Sequence, residues 1–213
     1  MLFIFDWDGT LSDSTTKITK AMQLAAQDLD WQPLPDAPIR NIIGLGLPEA
    51  IAALYPDVSA CDRQRLRDAY ANNFLALDKA NPSSLFPSVI ETLAELKAQG
   101  HWLTIATGKS RRGLDRILQS MDLHTFFDAT RCADETASKP HPLMLEQLLA
   151  QFGVVANEAV MVGDTEYDME MARAIAMPRI GVSYGAHHAD RLRSFELDMC
   201  LDRFDEILGW HRL

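Results

Sequence analysis

The chain has 213 residues, 47% of them apolar and 23% charged, with a formal net charge of −10. That length suits one domain with a substantial core, or a domain carrying a small insert. The acidic balance shows no basic face of the kind that grips nucleic-acid phosphates, and no apolar run approaches the roughly 18 residues that mark a membrane span.

In chain order, an apolar strand at 2–5 (Leu2-Phe3-Ile4-Phe5) runs straight into Asp6-Trp7-Asp8-Gly9-Thr10-Leu11. From about 14 to 84 there is no strand pattern. Helical periodicity covers 14–29, 36–43, 47–55 and 61–77, with Asp36 expected as an N-cap and Pro48 in a first turn. Asn81-Pro82-Ser83-Ser84 punctuates the return. A helix at 88–99 opens after Pro87 and stops at Gly100. Strands at 102–106, 128–132, 159–162 and 179–182, and a weaker one at 198–201, then alternate with helices at 111–121, 142–152 and 165–176. Such alternation predicts a parallel sheet covered on both faces, with an all-helical insert between its first two strands.

Four short motifs carry chemistry. In the first, Asp6 and Asp8 leave the first strand two residues apart, and Gly9 permits a sharp turn. A calcium loop also opens Asp-x-Asp, but it needs Gly at its sixth position and Glu at its twelfth, where this chain has Leu11 and Lys17. A carboxylate at the strand exit could be a nucleophile, a metal ligand or a general acid. In the second motif, Ile105-Ala106-Thr107-Gly108-Lys109-Ser110, a strand ends at a hydroxyl and free N–H groups that suit a phosphate oxygen, and Ser110 is the expected cap of the next helix. The same residues could form a plain capped turn.

The third motif, Ser138-Lys139-Pro140-His141-Pro142, carries Lys139 on a stiffened segment. In the fourth, Asp164 follows a buried strand in Met161-Val162-Gly163-Asp164-Thr165, and Asp168 lies four residues on, a helical spacing that shares one face. Ligands of open parallel sheets bind beyond the carboxyl ends of the strands, near the topological switch point. The motifs are therefore expected to gather Asp6, Asp8, Thr107, Lys139, Asp164 and Asp168 around one crevice. Clustered carboxylates repel one another without a cation, and an all-oxygen set of this kind points to magnesium.

The order and spacing of the four motifs resemble the haloacid dehalogenase superfamily, in particular phosphatases with a helical cap inserted after the first motif. Arg131-Cys132-Ala133-Asp134-Glu135 and Gly181-Val182-Ser183-Tyr184-Gly185 resemble its phosphoglycolate-phosphatase-like members. The resemblance implies a Rossmann-like catalytic core at 1–13 and 85–213 with a helical cap domain at 14–84. It implies that Asp6 is the nucleophile that becomes an aspartyl phosphate and that Asp8 is the general acid and base. Mg²⁺ would be held by the Asp6 carboxylate, the Asp8 backbone carbonyl and Asp164, with Asp168 positioning Asp164 or a water of the ion. Thr107 and the Gly108 N–H would hold phosphate oxygens, and Lys139 would offset their charge. The retained acid at Asp8 favours a phosphatase over a dehalogenase.

Two other readings remain open at this level: a β-phosphoglucomutase-like phosphomutase and a phosphometabolite-binding protein without turnover. Mutase relatives carry a basic residue in the cap loop, where this chain has Leu45 and Leu47 in Ile43-Gly44-Leu45-Gly46-Leu47-Pro48-Glu49, with Arg40 nearby. That loop could approach a ligand or merely punctuate helices. The expected partner is a small phosphorylated metabolite, with neither nucleic acid nor membrane, in a monomer or homodimer. Cys61, Cys132 and Cys200 form no CxxC pair, and the chain starts at Met1 without a basic leader, which together suggest a reducing cytoplasm. Trp7 should point away from its flanking aspartates into the core, and His187-His188 should form a surface pair.

Overall fold

The computed structural model describes residues 1–210. Six parallel strands form one sheet: β1 (Leu2–Phe5), β2 (Trp102–Thr107), β3 (Ala129–Cys132), β4 (Ala159–Gly163), β5 (Arg179–Val182) and β6 (Met199–Leu201). Their order is β3-β2-β1-β4-β5-β6. Every residue of β1 is buried, as a central parallel strand covered on both faces requires. Its alternate side chains serve two layers. Phe3 and Phe5 join a cluster with Val89, Leu93, Leu114 and Ile117, while Leu2 and Ile4 meet Met144, Leu148 and Met171 on the other face.

The covering helices are α5 (Val89–Ala98), α6 (Arg111–Ser120), α7 (Leu143–Phe152), α8 (Glu166–Ala174) and α9 (Ala189–Arg193). In α6, Leu114, Ile117 and Leu118 fall at i, i+3 and i+4 and form the buried stripe. Ser110 caps that helix as expected, its Oγ accepting from Gly113 N–H at 3.2 Å. The short α9 carries no pattern of its own in the sequence.

Between β1 and β2 lie only helices: α1 (Thr15–Gln27), α2 (Asp36–Asn41), α3 (Leu47–Leu54) and α4 (Ala60–Ala80). They bury a small core of their own around Met22, Ala25, Ile39, Ile51 and Leu66. Asp36 is the first residue of α2, not its cap; Pro35 takes the cap position, and the Asp36 carboxylate accepts from Gln23 Nε2 at 2.8 Å. A polar strap closes the base of the insert. Lys17 Nζ reaches Asp78 Oδ1 at 2.5 Å, Asn81 O at 2.7 Å and Ser83 Oγ at 2.7 Å. Among the described residues, no helix is long and apolar enough to cross a membrane.

The sheet reverses direction of growth at β1, between β2 and β4. A crevice therefore opens beyond the carboxyl ends of those strands, and the helical insert sits over it.

Candidate active site

Asp6 leaves β1 almost fully buried, at 1% exposure. Its Oδ1 accepts from Trp7 N–H at 2.7 Å and pairs with Lys139 Nζ at 2.8 Å. Its Oδ2 is buried and has no hydrogen-bond partner. That orphan is costly unless a ligand or ion completes it. Trp7 turns the other way, fully buried and edge-on to Phe127.

Lys139 is buried to 1% exposure and bridges two carboxylates, Asp6 Oδ1 and Asp168 Oδ1, the latter at 2.7 Å. Burial alone would lower its pKa, but the charges of Asp168 and Asp6 hold it above the ordinary value. Asp168 reaches this position by capping chemistry and not by the helical i, i+4 spacing expected from the sequence. Asp164 lies before α8, Thr165 caps that helix, and Asp168 Oδ2 accepts from Thr165 N–H at 3.1 Å and Thr165 Oγ1 at 2.7 Å.

Asp164 is fully buried and held by Thr10 Oγ1 at 2.8 Å and Ala186 N–H at 2.7 Å. Gly9 makes the approach possible. At its φ of +85° a Cβ would lie 2.2 Å from Asp164 Oδ2, so no larger residue fits the turn.

Oxygens of Asp6, Asp164 and Asp168 lie within 4.8 Å of one another. Burial pushes the Asp6 pKa well up; Lys139 opposes that shift, while the charges of Asp168 and Asp164 add to it. Burial, with Asp168 beside it, pushes Asp164 up to about 7. Three carboxylates around one ammonium leave an excess of negative charge. That excess, the all-oxygen donors and the unpartnered Asp6 oxygen together fit a divalent cation.

The Asp8 side chain points elsewhere. It is not part of the carboxylate cluster: Ser14 Oγ donates to its Oδ1 at 2.6 Å, and Lys109 Nζ stands 2.8 Å from its Oδ2. Thr107 ends β2 at 1% exposure, its Oγ1 accepting from Lys109 N–H at 3.2 Å. Thr107, Gly108, Asp6 and Asp8 all face one cavity of about 250 Å³.

Sequence reasoning passed over Lys109, Ser14 and Thr10 as functional residues. All three sit inside or beside recognised motifs, but only the fold reveals which carboxylate each one meets. His187 is a correction: it is buried, accepting from Glu166 N–H at its Nδ1 and meeting Asn41 O through its Nε2 at 3.1 Å, while His188 is exposed. Arg40 is also spoken for. Its guanidinium donates to Gly185 O at 3.0 Å, and it does not line the cavity.

Backbone groups of the insert also close on the core. Gly46 N–H donates to Ser138 Oγ at 2.8 Å, and a Cβ on Gly108 would lie 2.4 Å from the carbonyl oxygens of both Gly44 and Leu45. The glycine-bearing loop is therefore a wall of the cavity and not only a pause between helices.

Residues 3–182 match the family model described as haloacid dehalogenase-like hydrolase. "Probable phosphatase IndB" of Dickeya dadantii is 38% identical over 98% of this chain and 92% of its own length. A phosphoglycolate phosphatase of Colwellia psychrerythraea is 28% identical, covering 97% of this chain and 95% of the relative. Among solved structures, a haloacid dehalogenase-like family hydrolase of Streptococcus pneumoniae superimposes with a TM-score of 0.82 at 26% identity, covering 98% of this chain and 97% of that one.

Proposed function

The chain belongs to the haloacid dehalogenase-like hydrolase family, and on that premise we propose that it is a Mg²⁺-dependent phosphatase of a small phosphorylated metabolite. The lid is the helical region 14–84, over a core of 1–13 and 85–213. The observation that carries this reading is the buried, unpartnered Oδ2 of Asp6, set in a cavity beside Asp8.

One carboxylate oxygen of Asp6 attacks phosphorus, forming an O–P bond as the ester O–P bond breaks, and the proton of the Asp8 carboxyl passes to the leaving oxygen. Water then attacks the aspartyl phosphate while Asp8 takes up its proton, and Asp6 is released with inorganic phosphate. Proton delivery requires Lys109 to release Asp8, and the incoming phosphoryl group offers that ammonium a second anion. Thr107 Oγ1 and the Gly108 N–H donate to phosphate oxygens, and Lys139 keeps Asp6 oriented while balancing charge. Asp6, Asp164 and the Asp8 backbone would hold Mg²⁺, with Asp168 fixing the set. When bound, the ion would offset the repulsion between an anionic carboxylate and an anionic phosphoryl group.

A mutase needs a cation in the lid to hold a second phosphate. No basic residue of the inserted helices lines the cavity, and Arg40 is committed to Gly185. The name of the Colwellia relative makes phosphoglycolate the reference substrate. Asp6→Asn is expected to abolish Mg²⁺-dependent phosphate release from an aryl phosphate. Retained turnover in that variant would contradict the mechanism.

A further inference from the structure

The cavity has two unlike halves. Its floor carries Asp6, Asp8, Thr107, Gly108 and Lys109. From the lid it receives mainly Ile18, Met22, Ile43, Leu45, Leu47 and Phe74, with Tyr70 and Asn72 as its polar members and no charged side chain. The cations on its border come from the core. Lys109 is tied to Asp8 and sits 4.8 Å over the Phe74 ring, while Arg112 and Arg116 are exposed at the open side.

The phosphoryl group must sit on the floor, in line with Asp6. Its leaving alcohol then projects away from the floor toward the lid. An apolar wall gains free energy by covering an apolar group and loses it by stripping water from a carboxylate that finds no partner. The volume, about 250 Å³, is below the range of pockets that enclose drug-sized ligands and suits a moiety of about one ring.

We propose that the physiological substrate is a phosphomonoester whose alcohol carries a compact apolar body, aromatic or branched aliphatic, seated on Met22, Ile43, Leu45, Leu47 and Phe74. This rests on the phosphatase reading and names its substrate class. A short anionic alcohol such as glycolate places its carboxylate against the lid wall, where the lid supplies no cation and the Lys109 ammonium is already paired with Asp8. The reaction is otherwise the one above, releasing the apolar alcohol and inorganic phosphate.

The test compares benzyl phosphate with 2-phosphoglycolate, both alkyl esters, by Mg²⁺-dependent phosphate release. Benzyl phosphate should show a kcat/KM about 10-fold or more above that of 2-phosphoglycolate, in keeping with what apolar contacts and unpaired charges contribute to discrimination. Leu45 and Leu47 are only half-buried, so Leu45→Lys and Leu47→Lys should fold. In at least one of them the preference should narrow or invert, with inhibition by inorganic phosphate unchanged. Equal or better turnover of 2-phosphoglycolate by the unaltered enzyme would overturn the substrate class and leave the phosphatase standing. Phosphate release from neither ester would overturn the phosphatase reading, and this proposal with it.

Discussion

The floor and the roof of the cavity are built on opposite principles. The floor is buried charge: Asp6, Asp164, Asp168 and Lys139 are each no more than 1% exposed, and nearly every polar atom is matched. The roof is a small helical unit with its own apolar core, and it meets the rest of the chain through backbone and side-chain contacts such as Gly46 N–H to Ser138 and Arg40 to Gly185 O. Buried charge tolerates no displacement, because each unmatched group costs several kcal/mol. An apolar wall accepts changes of shape at lower cost. The floor can therefore fix a reaction while the roof is left to select what is presented to it.

This contrast predicts unequal responses to substitution. Asp6→Asn should have the largest effect, lowering kcat by about 10⁴-fold or more in a phosphate-release assay, since no other group replaces a nucleophile. Lys139→Met should come next. It leaves three buried carboxylates without their ammonium and should lower unfolding free energy by about 3–5 kcal/mol in metal-free urea titrations. Added Mg²⁺ should restore more stability to that variant than to the unaltered chain. A stability change within about 0.5 kcal/mol, the range of ordinary surface substitutions, would show that the floor is not held by charge balance.

Lys109→Met separates chemistry from folding at the boundary of the two regions. It should lower kcat about 10- to 100-fold by removing an ammonium from the phosphoryl group, less than the loss of a general acid. It should also lower the urea midpoint less than Lys139→Met does, since the Lys109–Asp8 pair is partly exposed. Asp78→Asn should have the smallest effect, costing about 1 kcal/mol through the strap to Lys17 and Ser83. Burial pushes the Asp78 pKa up, but the hydrogen bonds from Lys17 and Ser83 outweigh it and hold the carboxyl below its ordinary 3.8. Its contribution is then full above pH 3.8 and fades as pH falls through that value toward the lower pKa of the fold. Urea titrations of the two chains should therefore differ at neutral pH and converge in acid.

What could be read from sequence follows the same division. The sheet was legible because its central strands are short, mostly apolar runs such as Leu2-Phe3-Ile4-Phe5, and three of the four motifs because they lie directly at strand exits. Asp168 comes beside Asp6 and Asp164 by a route the helical spacing did not show: it caps α8 through Thr165 and does not share a helix face with Asp164. The Asp8–Lys109 pair and the Thr10–Asp164 bond were not legible, since both depend on loops meeting in space. His187 reads as a surface residue in sequence because nothing local shows that Asn41, almost 150 positions away, supplies its partner. The cavity wall was the least legible, because Leu45 and Leu47 pack against the insert's own core and line the cavity as well, a double role no local pattern shows.

The central claim is that Asp6 becomes phosphorylated, and the most direct measurement is mass spectrometry of acid-quenched enzyme during turnover of an aryl phosphate with Mg²⁺. A phosphoryl adduct on the peptide containing Asp6, accumulating further in Asp8→Asn and absent in Asp6→Asn, is the predicted result. An adduct on another residue, or turnover that persists in Asp6→Asn, would contradict it.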